Sequence, residues 1–215
     1  MNAYGKEYLN DAQENLALFL DYGVNHQKTH LRTLWGRFLM SPLCSLFEKG
    51  DYSVISGCSG IELYFKVIDK PIQDYIDYAS IDRSKEFWLG YYLAYYQWRT
   101  SISFKFINRY IKIEEILSLY NPYHEMDMTN FLYKMNDIIN EKKKYTNLAI
   151  KRTNQGLTRA QLSLLSDVPE RVIEQYEQRK RNINRANALY ISSLAKALNC
   201  KVDEILELTD NSLYQ

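Results

Sequence analysis

His26 and His30 stand four residues apart, the spacing that sets two imidazoles on one helix face and can hold a divalent metal. A zinc protease of that pattern needs a glutamate directly after the first histidine, and none follows His26. The pair reads better as two surface histidines beside Lys28. His124, Glu125 and Asp127 crowd into "HEMD", but neighbours at the start of a helix do not converge on one ion, and a capping and first-turn role suits them. Cys44, Cys58 and Cys200 are isolated and odd in number, with no C-x-x-C, so neither a disulfide framework nor a zinc site is expected. No nucleophile elbow or phosphate-binding glycine loop is present. The expectation is a protein that is not an enzyme and carries no metal or cofactor.

The other chemistry lies in "GLTRAQLSLLSDVPERVIEQYEQRKRNI", residues 156–183. Arg171 has the donor fork that grips a guanine edge, and Gln175 the amide that pairs with adenine. Glu170 and Glu174 can accept from cytosine N4, yet they repel phosphates. Arg179, Lys180, Arg181 and Arg185 follow at once, a cluster suited to a phosphate backbone. Bulk charge does not help, because 27 Lys and Arg face 26 Asp and Glu over 215 residues. From residue 146 onward there are ten basic and eight acidic side chains, so any nucleic-acid affinity must be local.

These residues need rigid elements under them. Thr158 and Gln161 have capping-box spacing, which starts a helix at Arg159, and Gly156 suits the turn that ends the helix before it, around 149–155. Within 159–166, Ala160, Leu162 and Leu165 are expected to face inward. Asp167-Val168-Pro169 breaks the chain, and Pro169 opens a second helix whose buried side is Val172, Ile173 and Tyr176. Asn184 is expected to cap a longer helix with Leu189, Tyr190, Leu194, Ala195 and Leu198 inward. Val202, Ile205 and Leu206 would close the bundle.

On Arg152, "GLT" at 156–158, Ala160, Leu162, Ser166, Val168, Ile173, "YE" at 176–177, "LAKALNC" and "VDEILE", residues 148–208 resemble the Cro/repressor-type (XRE) helix-turn-helix family. The resemblance implies a five-helix bundle binding double-stranded operator DNA as a homodimer. It places Thr158 and Arg159 at a phosphate, with Arg159 where the family has glutamine. Pro169, Glu170, Arg171, Glu174 and Gln175 fall at the bases, and Arg179, Lys180, Arg181 and Arg185 along the backbone. It also implies an Arg152–Glu177 pair. Asp167 departs from the small residue or glycine usual there. The two glutamates leave three readings open: base selection, pairing with Arg171 or nearby cations, or a domain turned toward a basic protein partner.

The first 145 residues read as helical, so the whole chain is expected to be all-α, with an N-terminal helical domain at 1–145 and the helix-turn-helix domain at 146–215. Asn10 and Gln13 suggest a capping box ahead of Leu16, Phe19 and Leu20. Leu31, Leu34, Trp35, Phe38 and Leu39 mark a second helix, Ser41-Pro42 opens a third that stops at Gly50, and Ser59 with Glu62 opens a fourth. "SKEFWLGYYLAYYQWRTS" is aromatic on every side. It is either a central core helix or a docking surface built from Tyr91, Tyr92, Tyr95, Tyr96 and Trp98. "EKKKY" at 141–145 reads as the seam between domains, with nothing in it to break a helix. "NDAQENLALFLDYGVN", "SGCSGIEL", "DRSKEFWLGYYLAYYQW" and "YHEMD" resemble helix-turn-helix proteins of gut Firmicutes whose genes neighbour suspected toxins, which implies an antitoxin-like regulator with a toxin partner. No secretory signal or membrane-spanning run is visible, so the cytoplasm is the expected location.

Overall fold

The computed structural model describes residues 2–72 and 83–207, and every regular element among them is helical. Among the described residues no helix is long and apolar enough to cross a membrane. The chain divides into two compact units, Met1–Met135 and Asn136–Thr209. The division falls inside a helix (α10, Met128–Lys142) rather than in the polar run 141–145.

The first unit holds α1 (Leu9–Asp21), α2 (Leu31–Met40), α3 (Pro42–Glu48), α4 (Tyr52–Ile55), α5 (Gly60–Ile68), α6 (Lys85–Thr100), α7 (Phe104–Tyr110), α8 (Ile113–Leu117), α9 (Tyr120–Tyr123) and the start of α10. Local signals account for most of these starts. Ser41 accepts from the Leu43 N–H with Pro42 at the first helical position, and Ser59 and Glu62 form a reciprocal capping box. Asp127 accepts from the Thr129 N–H at the head of α10, the capping role read from "HEMD". Asn10 is not a cap. A 3-10 turn at Lys6–Tyr8 runs straight into α1, and Gln13 turns inward so that its Nε2 donates to the Tyr91 carbonyl at 3.3 Å.

The aromatic helix α6 is the central one. It packs along α1, and Phe87, Trp88, Leu89, Leu93, Tyr96 and Trp98 are buried. Close approach depends on glycine. A Cβ on Gly90 would lie 2.3 Å from the Leu16 carbonyl oxygen, and one on Gly60 would lie 2.3 Å from that of Asn15. Asn15 itself is buried between elements, its Nδ2 donating to the carbonyls of Ile55 at 2.5 Å and Cys58 at 2.7 Å.

The second unit contains the end of α10, then α11 (Asn147–Asn154), α12 (Arg159–Ser166), α13 (Glu170–Glu177), α14 (Ala188–Ala197) and 3-10 turns at Ile183–Arg185 and Val202–Glu204. Helix does not continue through "EKKKY": α10 stops at Lys142, and Thr146 caps α11 by accepting from the Ala149 N–H. Lys143 in that break is buried, its ammonium donating to Asn147 Oδ1 at 2.8 Å and Glu207 Oε2 at 3.2 Å. The fifth helix expected of the bundle is only a 3-10 turn. Its core joins Leu148, Leu162, Ile173, Tyr176, Leu194 and Ile205.

Several inward assignments are corrected. Leu162 and Ser166 form the buried edge of α12, while Ala160 and Leu165 face out. Asn187, not Asn184, caps α14, which leaves Leu189 outside. Asn184 instead bonds both backbone groups of Glu207, at 2.9 and 3.1 Å.

Candidate nucleic-acid interface

The corner between α12 and α13 is built from short-range bonds. Thr158 accepts from the Gln161 N–H at 3.2 Å, and Gln161 Oε1 accepts from the Thr158 N–H at 2.8 Å, so α12 begins at Arg159 as its sequence implies. At its other end Asp167 takes the left-handed conformation (φ 55°), which asparagine and aspartate tolerate better than most side chains. Ser166 Oγ donates to the Leu162 carbonyl and Ser163 Oγ to the Val168 carbonyl, both at 2.7 Å. Val168 is buried below the corner, and Pro169 is the cap residue of α13.

A buried carboxylate locks the corner to α11. Arg152 donates through Nε to Glu177 Oε1 at 2.7 Å and through Nη2 to Oε2 at 3.1 Å, a bidentate pair. Its Nη1 also holds the Leu157 carbonyl at 2.5 Å. The third arm is Arg159, whose Nε donates to Glu177 Oε2 at 2.6 Å. Burial pushes the Glu177 carboxyl up, but the bonds and charges of the two arginines outweigh it and hold the group below the usual carboxylate range. Arg159 is therefore not a free phosphate ligand. One of its five N–H groups is committed inside the unit, and its partly exposed head offers only the remainder.

The outer surface of α13 and the segment after it carries the remaining site residues. Arg171, Lys180, Arg181 and Arg185 are exposed, and among the described residues none is in an ion pair. Arg181 lies over the Tyr176 ring, 5.7 Å from its centroid. Arg179 departs from the backbone-gripping role its position implies. It adopts φ 55° and its Nη2 donates to the Lys143 carbonyl at 2.8 Å, which ties it to the chain ahead of α11. Glu170 is exposed, Glu174 and Gln175 are half-buried, and Glu174 accepts from Gln178 Nε2 at 2.8 Å. Of the three readings open for these glutamates, ion pairing with cations on the same helix is not made among the described residues. Their charge reaches Arg159 instead, which is held above the usual arginine value first by its hydrogen bond to Glu177 and then by the three nearby carboxylates.

The aromatic set on α6 divides. Tyr96 is fully buried and Trp98 is 4% exposed, its Nε1 donating to the Tyr4 carbonyl at 2.9 Å, so these two serve packing and cannot meet a partner. Tyr91, Tyr92 and Tyr95 are half-buried. His26 stacks on Tyr22 at 5.6 Å, and among the described residues no three His, Cys, Asp or Glu side chains converge on a possible metal.

The geometry thus defines a helical corner, clamped from inside by one carboxylate and rimmed outside by exposed cations. No protein-family model, no curated protein and no solved structure matches the chain.

Proposed function

We propose that the second unit binds double-stranded operator DNA through the α12–α13 corner, and that the protein is a cytoplasmic transcriptional regulator repressing its own operon as the antitoxin of a toxin–antitoxin-like pair. The observation that carries this reading is the cationic rim. Arg171, Lys180, Arg181 and Arg185 are exposed beside one short helix and, among the described residues, outside any ion pair, in a chain whose overall charge is only +1. The resemblance of residues 148–208 to helix-turn-helix repressors supports it. Lys180, Arg181 and Arg185 hold phosphates, while Arg171, Gln175 and the two glutamates meet base edges. A homodimer presents two such corners to half-sites about 34 Å apart, one turn of the duplex. Tyr91, Tyr92 and Tyr95 supply the surface for the toxin.

The test is binding to the protein's own upstream DNA against scrambled DNA across a salt series. Arg171→Ala is expected to lose about 1–3 kcal/mol at one base position and so to flatten sequence preference. Lys180→Ala is expected to weaken binding to every sequence and to lower the salt slope by about 1. Unchanged binding in both variants would sink the assignment of these residues.

A second reading is a protein-interaction module that neutralises a toxin and no longer binds DNA. Leu164, Leu165 and Leu189, at 86%, 61% and 75% exposure, favour it, because large apolar side chains are costly to leave in water. It requires no preference for the upstream DNA at moderate salt and a stable complex with the product of a neighbouring gene.

A further inference from the structure

A concave site in the first unit has a different chemistry from the DNA corner. Its volume is about 350 Å³, within the range of small-molecule pockets. The walls are aromatic: Trp88 meets Tyr92 at 4.7 Å and Tyr120 edge-on at 5.4 Å, and Tyr91 closes one side. Two opposite charges, Glu14 and Arg83, line the same pocket without bonding to each other. Arg83 lies over the Phe87 ring at 5.9 Å, and among the described residues no carboxylate pairs with it. Glu14, half-buried on α1, likewise has no cation on it among them. Both act on one atom. The Tyr91 hydroxyl titrates above its usual value, first because it is buried, then because Glu14 raises it, with Arg83 opposing.

We propose that this pocket binds a free amino acid with an apolar or aromatic side chain. The α-ammonium meets Glu14, the carboxylate meets the Arg83 fork, and the side chain fills the aromatic wall. Simpler ligands leave a charge unanswered. A quaternary ammonium suits the ring faces and Glu14 but is repelled by Arg83. An aromatic carboxylate suits Arg83 but is repelled by Glu14. A zwitterion of this shape satisfies both, and it stands independently of the DNA-binding proposal.

Calorimetric titration of the full chain with L-phenylalanine, L-tryptophan and L-leucine tests it, with 2-phenylethylamine and 3-phenylpropanoate as probes that each keep one charge. At least one amino acid should bind with a Kd of about 1 mM or tighter, and each half-probe should bind at least about tenfold more weakly. Glu14→Gln and Arg83→Gln should each weaken the amino acid about tenfold, with helical content unchanged. Equal affinity for the amine would make the pocket a cation cage and overturn the proposal. Equal affinity for the carboxylate would make it an anion site and overturn it as well. Absence of binding by all three amino acids up to about 10 mM removes it outright. The half-probe comparison uses the unsubstituted protein, so it decides even if a variant misfolds.

Discussion

Glu177→Ala is expected to cost the second unit about 3 kcal/mol of stability, read from the urea midpoint of its transition or from hydrogen exchange of the α13 amides. The carboxylate is almost fully buried, and Arg152 opposite it is only 12% exposed. Each ion lost hydration on folding, and their mutual attraction in bidentate geometry offsets that loss. Removing the carboxylate leaves the Arg152 guanidinium buried with the Leu157 carbonyl as its one remaining partner, which is the costly half of the asymmetry. Against a total domain stability of about 5–15 kcal/mol, such a loss decides whether the corner stays folded. Replacing the two buried members, Arg152→Met with Glu177→Leu, should cost less than Glu177→Ala alone, because the buried guanidinium goes with its carboxylate and the Arg159 head, 38% exposed, still reaches water. A single substitution costing under about 1 kcal/mol would mean that water reaches the pair and the interior account is wrong. The same carboxylate sets a pH dependence. Its pKa in the folded protein lies below the ordinary 4.5, so its contribution is complete above that value and is lost as pH falls through the lowered one. Glu177→Ala should flatten the acid limb of the stability curve.

Several features that depend on residues three or four apart were legible in the sequence, although the Asn10–Gln13 spacing misled because Gln13 turns inward to Tyr91. The boxes Ser59–Glu62 and Thr158–Gln161, the proline opening α3 and the apolar face of α2 all follow from such spacings, and the structure holds them. The Arg152–Glu177 pair was expected only from the resemblance. What spacing could not show was choice among near-equal candidates. Asn182, Asn184 and Asn187 all have the short side chain a cap needs; packing gives two of them caps and turns Asn184 onto Glu207. Leu162 with Leu165 and Leu162 with Ser166 are both helical pairs. The second wins because the Ser166 hydroxyl satisfies itself on the Leu162 carbonyl and tucks under the corner. Arg159 looked free because Glu177 is eighteen residues away, a separation no local pattern encodes. Helix α6, apolar on every side, gave no face at all. The neighbours it meets sort its tyrosines: α1 approaches at Gly90, and Phe131 of α10 lies 6.5 Å from the buried Tyr96 ring.

That glycine yields the second large effect. Gly90→Ala should destabilise the first unit by about 3 kcal/mol, seen as a melting temperature lower by about 10 °C. Helix propensity predicts the opposite sign, since alanine is favoured over glycine inside a helix by about 1 kcal/mol. Sterics win because the added Cβ would sit 2.3 Å from the Leu16 carbonyl oxygen and 2.6 Å from the Ala17 Cα. Both are backbone, so no rotamer change relieves them, and α1 must move off α6. That movement loosens the packing of α1 on α6, two helices whose Leu16, Leu20 and Leu93 are fully buried, and even a small gap forfeits much of the dispersion energy. Gly36 in α2 is the matched control. A Cβ there meets nothing within 4 Å, so Gly36→Ala keeps only the propensity term and should stabilise by about 0.5–1 kcal/mol. Opposite signs at the two sites would establish that Gly90 is there to let two helix backbones approach. The same sign at both would leave helix propensity as the larger effect and the α1–α6 contact as one that yields.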